Sequence, residues 1–146
     1  MEARSFGFHL VPLEKEGTIG VMSNGSGMLM SCIDLLSKRG VTCGAALDLG
    51  GGATADRIKE AVRIVLSKKN IDTVFLCIFG GITRCDEVAG GVRMALEAAP
   101  AGKTAVIRME GTNKEKGQEI LAGLANVVPV ESIPAGVAAI AERQGV

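Results

Sequence analysis

Apolar runs of strand length alternate with helix-patterned segments five times along this chain, and that alternation restricts its fold more than any other feature. The strand-like runs are Thr18–Ser23, Cys43–Leu49, Asp72–Phe79, Thr104–Met109 and Val127–Val130. Helical segments follow at about residues 28–38, 55–68 and 83–98, then after Asn113 and from Ser132. Each connection is too long for a hairpin and the right length for a helical crossover, so the strands must run parallel. Strand runs such as Thr73–Phe79 are apolar without alternation, which implies a sheet covered on both faces. The chain is therefore expected to be α/β: three layers around a five-stranded parallel sheet. A short N-terminal edge strand from Phe8 to Leu13 is expected beside it, since Pro12 suits an edge and not the centre.

In such a sheet every strand-to-helix turn lies along one edge, where open α/β folds bind ligands. Four turns there are polar and carry glycine: Asn24–Gly27, Gly50–Thr54, Gly80–Thr83 and Glu110–Asn113. The central one follows the longest apolar run. Gly80 and Gly81 predict a sharp turn with uncovered amides, and a helix is expected from Thr83, with Thr83 and Asp86 at capping-box spacing. Thr112 and Glu115 repeat that spacing before the fourth helix. A strand, a glycine turn and a helix N-terminus together favour an anion by about 0.3–1 kcal/mol at an exposed site.

Composition removes other classes. Lys plus Arg and Asp plus Glu number 16 each, and Tyr and Trp are absent, which leaves neither a basic patch nor stacking rings for nucleic acid. No apolar run reaches the ~18 residues of a membrane span, and Met1–Phe6, with no apolar stretch after it, is not expected to be a secretory signal. Cys32, Cys43, Cys77 and Cys85 form no Cys-x-x-Cys, and His9 is the only histidine, so no metal site is expected. Scattered cysteines in apolar segments suit a reducing cytoplasm.

Several partial motifs compete. Gly25-Ser26-Gly27 followed by Asp48 mimics a dinucleotide fingerprint, but Met30 stands where the third glycine belongs. No Gly-Lys-Ser/Thr follows any glycine turn, and Phe79-Gly80 occupies the place of a phosphate receiver's aspartate. His9 reads as a surface or interface residue, Cys85 as a small buried side chain, and Met22, Met28, Met30 and Met94 as core. Arg84 suits contact with an anion or a partner carboxylate, or a solvated role. Asp48 and Glu110 read as holders of loop amides. The chain carries no complete catalytic set, so an enzyme built from it would complete its site with another chain or domain.

At the glycine turns the chain resembles a known family. Gly-Gly-Ile-x-Arg-Cys-Asp (Gly80–Asp86), Asp-x-Gly-Gly-Gly-Ala-Thr (Asp48–Thr54), Asn-Gly-x-Gly (Asn24–Gly27) and Arg-x-Glu-Gly-x-Asn (Arg108–Asn113) occur at corresponding places in the C-terminal domain of the succinyl-CoA synthetase β subunit. Malate–CoA ligase and ATP-citrate lyase share the pattern less closely. The resemblance runs from about Phe8 onward and implies a flavodoxin-like fold. It implies one CoA-ligase-type domain over residues 1–146, without a nucleotide-grasp domain.

It further implies a part in nucleotide-dependent acyl-CoA formation. A histidine on an α-like partner subunit would carry the phosphoryl group, and one helix N-terminus from each subunit would face it. Substrate and phosphate contacts fall on Asn24, Gly80, Gly81, Ile82 and Thr83, with Arg84, Gly51, Gly52 and Asn113 in support. CoA, ATP or GTP, and magnesium would serve the full enzyme, with none bound by this domain alone. The isolated chain is expected to be inactive. The sequence departs from the family pattern at Cys77, where Asn is usual, at Thr83, where an apolar residue is common, and at Thr112, where Asn is frequent. The alternative is a non-catalytic interaction or regulatory module that docks on an α-like subunit.

Overall fold

The computed structural model describes residues 9–50 and 54–145, and at residues 9 and 80–83 the backbone alone. Among the described residues six strands form one sheet: β1 (His9–Pro12), β2 (Ile19–Ser23), β3 (Cys43–Asp48), β4 (Thr73–Arg84), β5 (Thr104–Thr112) and β6 (Val127–Pro129). The described residues form five helices: α1 (Ser26–Lys38), α2 (Ala55–Leu66), α3 (Cys85–Ala98) and α4 (Lys114–Leu121) link successive strands from β2 to β6, and α5 (Ile133–Arg143) follows β6. The strand order is β1-β3-β2-β4-β5-β6. β1 lies antiparallel on β3 at the edge and every other pairing is parallel. Without β1 this is the flavodoxin-like order, whose switch point falls between β2 and β4.

The core lies on both faces of the sheet. Val74 to Ile78 of β4 are all fully buried, and they alternate between the two layers. Val74, Leu76 and Ile78 pack with Ile58, Val62 and Val65 of α2 and with Val88 and Val92 of α3. Phe75 and Cys77 pack with Leu29, Cys32 and Leu36 of α1 and with Val137 and Ile140 of α5. A strand apolar at every position needs such double cover, because each alternate side chain would otherwise face water.

Helix starts follow local chemistry where a cap residue is present. Thr54 and Ser132 accept from the amides of Arg57 and Ala135, and Pro134 sits in the first turn of α5. Two expected capping boxes do not form. Thr83 lies inside β4 and the N-cap of α3 is Arg84, with no side-chain cap bond. Thr112 ends β5, and the N-cap of α4 is Asn113 in the left-handed conformation, φ 60°. Asn tolerates that region better than most residues. The methionines also divide: Met22 is buried, whereas Met30 is 65% exposed and Met94 37% exposed. Met30 therefore presses on nothing in the helix–sheet packing, contrary to the expectation that all four belong to the core.

Candidate functional site

The parallel strands carry their C-terminal ends, and the polar turns, to one edge. The centre of that edge differs from the sharp turn expected at Gly80-Gly81. β5 runs on to Thr112, beyond the Met109 expected from its apolar run, and supplies β4 with a partner past Phe79. Phe79 pairs with Glu110, Gly80 with Gly111, and then Arg84 with Thr112. Gly81, Ile82 and Thr83 of β4 thus stand against no residue of β5. The feature is a three-residue bulge in a strand end, and α3 begins one residue later. Bulges re-aim the chain and are over-represented beside active sites.

The flank toward β2 is held by Asn24. Its Nδ2 donates to the Phe79 carbonyl at 2.6 Å, and its Oδ1 accepts from the Phe79 amide at 3.2 Å. The Phe79 ring is 54% exposed and the Arg108 guanidinium lies over it, 5.3 Å from the ring centroid. Arg108 and Ser23 flank Cys77 across the sheet, one from β5 and one from β2. Among the described residues the buried Arg108 Nε and Ser23 Oγ have no hydrogen-bond partner. Beneath them the Cys32 and Cys77 sulfurs lie 3.3 Å apart. That contact and burial hold the Cys77 thiol well above the ordinary range.

The first turn of α3 ties three helix starts together. Glu87 Oε2 accepts from the Ala55 amide at 2.9 Å, at the start of α2. Asp86 accepts from Asn113 Nδ2 at 3.2 Å, at the start of α4, and from Arg84 Nη2 at 2.9 Å. Desolvation raises the Asp86 pKa, but the bonds from Asn113, Arg84 and its own main-chain amide outweigh it, and the net direction is down. Asp86 therefore stays ionised, with Arg84 beside it to offset the charge. Close by, Lys114 bonds Glu110 at 2.5 Å and reaches Glu131 at 3.3 Å. The Lys114 bond is the main cause holding Glu110 below the usual carboxylate range.

Other expected roles are clear. Asp48 Oδ1 accepts from the Gly50 amide at 2.9 Å, a turn-holding role. Cys85 is fully buried, and burial pushes its thiol up, so the first turn of α3 holds no thiolate. His9 pairs through its backbone with Asp48 at the sheet edge. Gly51 and Gly52 lie outside the described residues. Among the described residues no three His, Cys, Asp or Glu side chains group to hold a metal ion.

The family model for CoA-ligase matches residues 22–128. The chain belongs to the CoA-ligase family. That match spans Asn24, the β4 bulge, Arg84 and Asn113. Among curated relatives, the chain is 45% identical to the succinate–CoA ligase [ADP-forming] subunit β of Pyrobaculum arsenaticum, over 85% of this chain and 32% of the relative. It is 40% identical to the corresponding subunit of Bacillus thuringiensis, over 99% of this chain and 37% of the relative. The chain thus spans about a third of the length of these relatives. Among solved structures it is similar to ATP citrate lyase from Methanothrix soehngenii, determined with citrate and coenzyme A. That likeness has a TM-score of 0.75 at 19% identity and covers 97% of this chain and 43% of the other. A dinucleotide-forming acetyl-coenzyme A synthetase from Ca. Korarchaeum cryptofilum matches with a TM-score of 0.71 at 16% identity, over 90% of this chain and 33% of the other. At such identities the two structures speak for the fold of a CoA-ligase domain and nothing finer.

Sequence reading missed three features of this edge. The bond pair from Asn24 to Phe79 depends on the β2–β4 register. The Asp86–Asn113 tether joins two segments far apart in sequence. The exposed ring of Phe79 continues an apolar run whose earlier members are all buried.

Proposed function

We propose that this chain is the CoA-ligase part of a β-type subunit in a nucleotide-dependent acid–CoA ligase of the succinyl-CoA synthetase type. Its role is to receive a phosphate presented on a histidine of an α-like partner, with the substrate carboxylate alongside. One observation carries the reading: a three-residue bulge at the end of β4 leads into a helix whose N-cap residue, Arg84, makes no side-chain cap bond. The residues assigned are Asn24, Gly80, Gly81, Ile82 and Thr83, supported by Arg84 and Asn113. Gly51 and Gly52 belong to the same assignment by the resemblance.

The bulge brings main-chain amides off the β5 ladder to the edge of the sheet, next to the positive end of the α3 dipole. Donors fixed in place stabilise charge that develops on a transferring phosphoryl group without reorganising as it forms. Arg84 adds a cation at the helix start and offsets Asp86. By the resemblance Ile82 and Thr83 are substrate contacts, and Thr83, where an apolar residue is common, bears on which acid is accepted. By the resemblance, magnesium and ATP or GTP are assigned to a nucleotide-grasp domain or chain, and CoA to the assembled enzyme. The four cysteines, all free and buried, agree with a reducing, cytoplasmic setting. Among the described residues no helix is long and apolar enough to cross a membrane.

The test is reconstitution. The purified chain alone gives no turnover of succinate, CoA and ATP. Addition of an α-like subunit and a nucleotide-grasp domain restores turnover, and Gly81→Val then abolishes it. Turnover by the chain alone, or full activity of Gly81→Val in the assembly, overturns the proposal.

A further inference from the structure

Asn24 is the first residue past the end of β2, and it stands at the switch point of the sheet. β2 pairs with β4 only as far as Ser23 opposite Cys77. Two residues further along β4, the Asn24 carboxamide supplies both the donor and the acceptor that a continuing strand would have offered. It bonds the Phe79 carbonyl and the Phe79 amide together. On its other side Phe79 is paired with Glu110 of β5. Phe79 is therefore held from both flanks, although β2 has already ended, and the bulge opens after the very next residue.

We propose that Asn24 is a positioning residue: it acts through the Phe79 backbone to aim the Gly81–Thr83 bulge at the incoming phosphate. The inference rests on the reading that this bulge receives the phosphate, and it adds a positioning role to the substrate contact that the resemblance assigns to Asn24. Asn24 Nδ2 and Oδ1 engage the carbonyl and the amide of Phe79. A side chain must offer a donor and an acceptor at the same reach to hold both. Alanine offers neither. Aspartate keeps the shape but places a carboxylate oxygen against the Phe79 carbonyl.

Two measurements test this. In the chain itself, amide hydrogen exchange is followed by NMR in Asn24→Ala and Asn24→Asp. The Phe79 amide exchanges at least tenfold faster in Asn24→Ala, while the Phe75 amide, in the paired part of β4, is unchanged. In the assembled enzyme, phosphorylation of the partner's histidine by nucleotide is timed without acid or CoA. The rate falls at least tenfold in both variants, and Asn24→Asp gives no rescue. Unchanged exchange at Phe79 overturns the inference whatever the bulge binds. Faster exchange with a normal phosphorylation rate also overturns it and leaves Asn24 as a substrate contact alone. If the wild-type assembly is not phosphorylated at all, the proposed function fails, and the exchange result still decides whether Asn24 governs the bulge.

Discussion

Two adjacent glycines in α3 should respond in opposite directions to the same substitution. At Gly91 an added Cβ would lie 2.5 Å from the Ala55 carbonyl oxygen and 2.6 Å from the Ile58 Cβ, at the contact between α3 and α2. At Gly90 the nearest atom would be the Ala55 Cβ at 3.9 Å, an ordinary contact. Replacing Gly by Ala inside a helix stabilises by about 1 kcal/mol. Gly90→Ala keeps that gain. At Gly91 the obstacles are a backbone oxygen and a Cβ that cannot rotate away, so the overpacking cost lies near the top of the ~1–3 kcal/mol range. The net effect of Gly91→Ala is then a loss of about 1–2 kcal/mol. A chain of 146 residues has an unfolding entropy near its midpoint of about 0.3 kcal/mol per kelvin. Gly91→Ala should therefore lower Tm by roughly 3–6 °C and Gly90→Ala raise it by roughly 3 °C. Thermal unfolding of both variants by circular dichroism and calorimetry checks this. A Gly91→Ala protein as stable as wild type would refute the close seating of α3 on α2, and with it the idea that this contact fixes where the α3 N-terminus points.

The remaining predictions concern the same helix starts and the buried thiols. Gly117→Ala would put a Cβ 2.7 Å from the Cys85 carbonyl oxygen, so α4 must move off α3, with a loss of ~1–2 kcal/mol in denaturant titration. Asn113→Ala loses the bond to Asp86 and leaves Ala in a left-handed conformation that alone costs about 1–2 kcal/mol; the Asp86 carboxyl, followed by NMR, should titrate closer to its ordinary value. Asp86 and Glu110 both have folded pKa values below their unfolded ones. Their contribution is present above the unfolded value near pH 4 and is lost as pH falls through the folded value, so the denaturation midpoint should drop below about pH 4. Burial raises the Cys43 thiol from 9.0 to about 11. Its contribution is full below pH 9 and lost as pH climbs to about 11, a loss that Cys43→Ala should reduce. A thiol reagent should leave all four cysteines of the native protein unmodified at neutral pH and label them after unfolding.

The layers, and the edge that gathers the ends of the parallel strands, were legible because they depend on local pattern. A run apolar at every residue predicts a doubly covered strand, and Val74–Ile78 form one. Glycine turns after successive parallel strands must share an edge whatever their details. What stayed hidden is non-local. Gly80-Gly81 reads as a turn only while β5 is thought to end at Met109; once β5 continues to Thr112, its backbone pairs with Gly80 and Arg84 and draws the segment into the sheet. The start of α3 moves with it, from Thr83 to Cys85, and the local Thr-x-x-Asp pattern is overridden by strand pairing. Met30 and Met94 were misassigned because hydropathy alone does not tell which side of a helix meets the sheet. The Asn24 bonds follow from the register of β2 on β4, which becomes visible only in the folded chain.

The central claim is that the β4 bulge and the α3 N-terminus receive a phosphate from a partner. The most direct measurement compares backbone amide chemical shifts of this chain, bound to an α-like subunit, before and after the partner's histidine is phosphorylated. The account predicts that the amides of Gly81 to Cys85 move, while those of the buried β4 stretch Val74–Ile78 stay in place. Phosphorylation that leaves Gly81–Cys85 unmoved would contradict it.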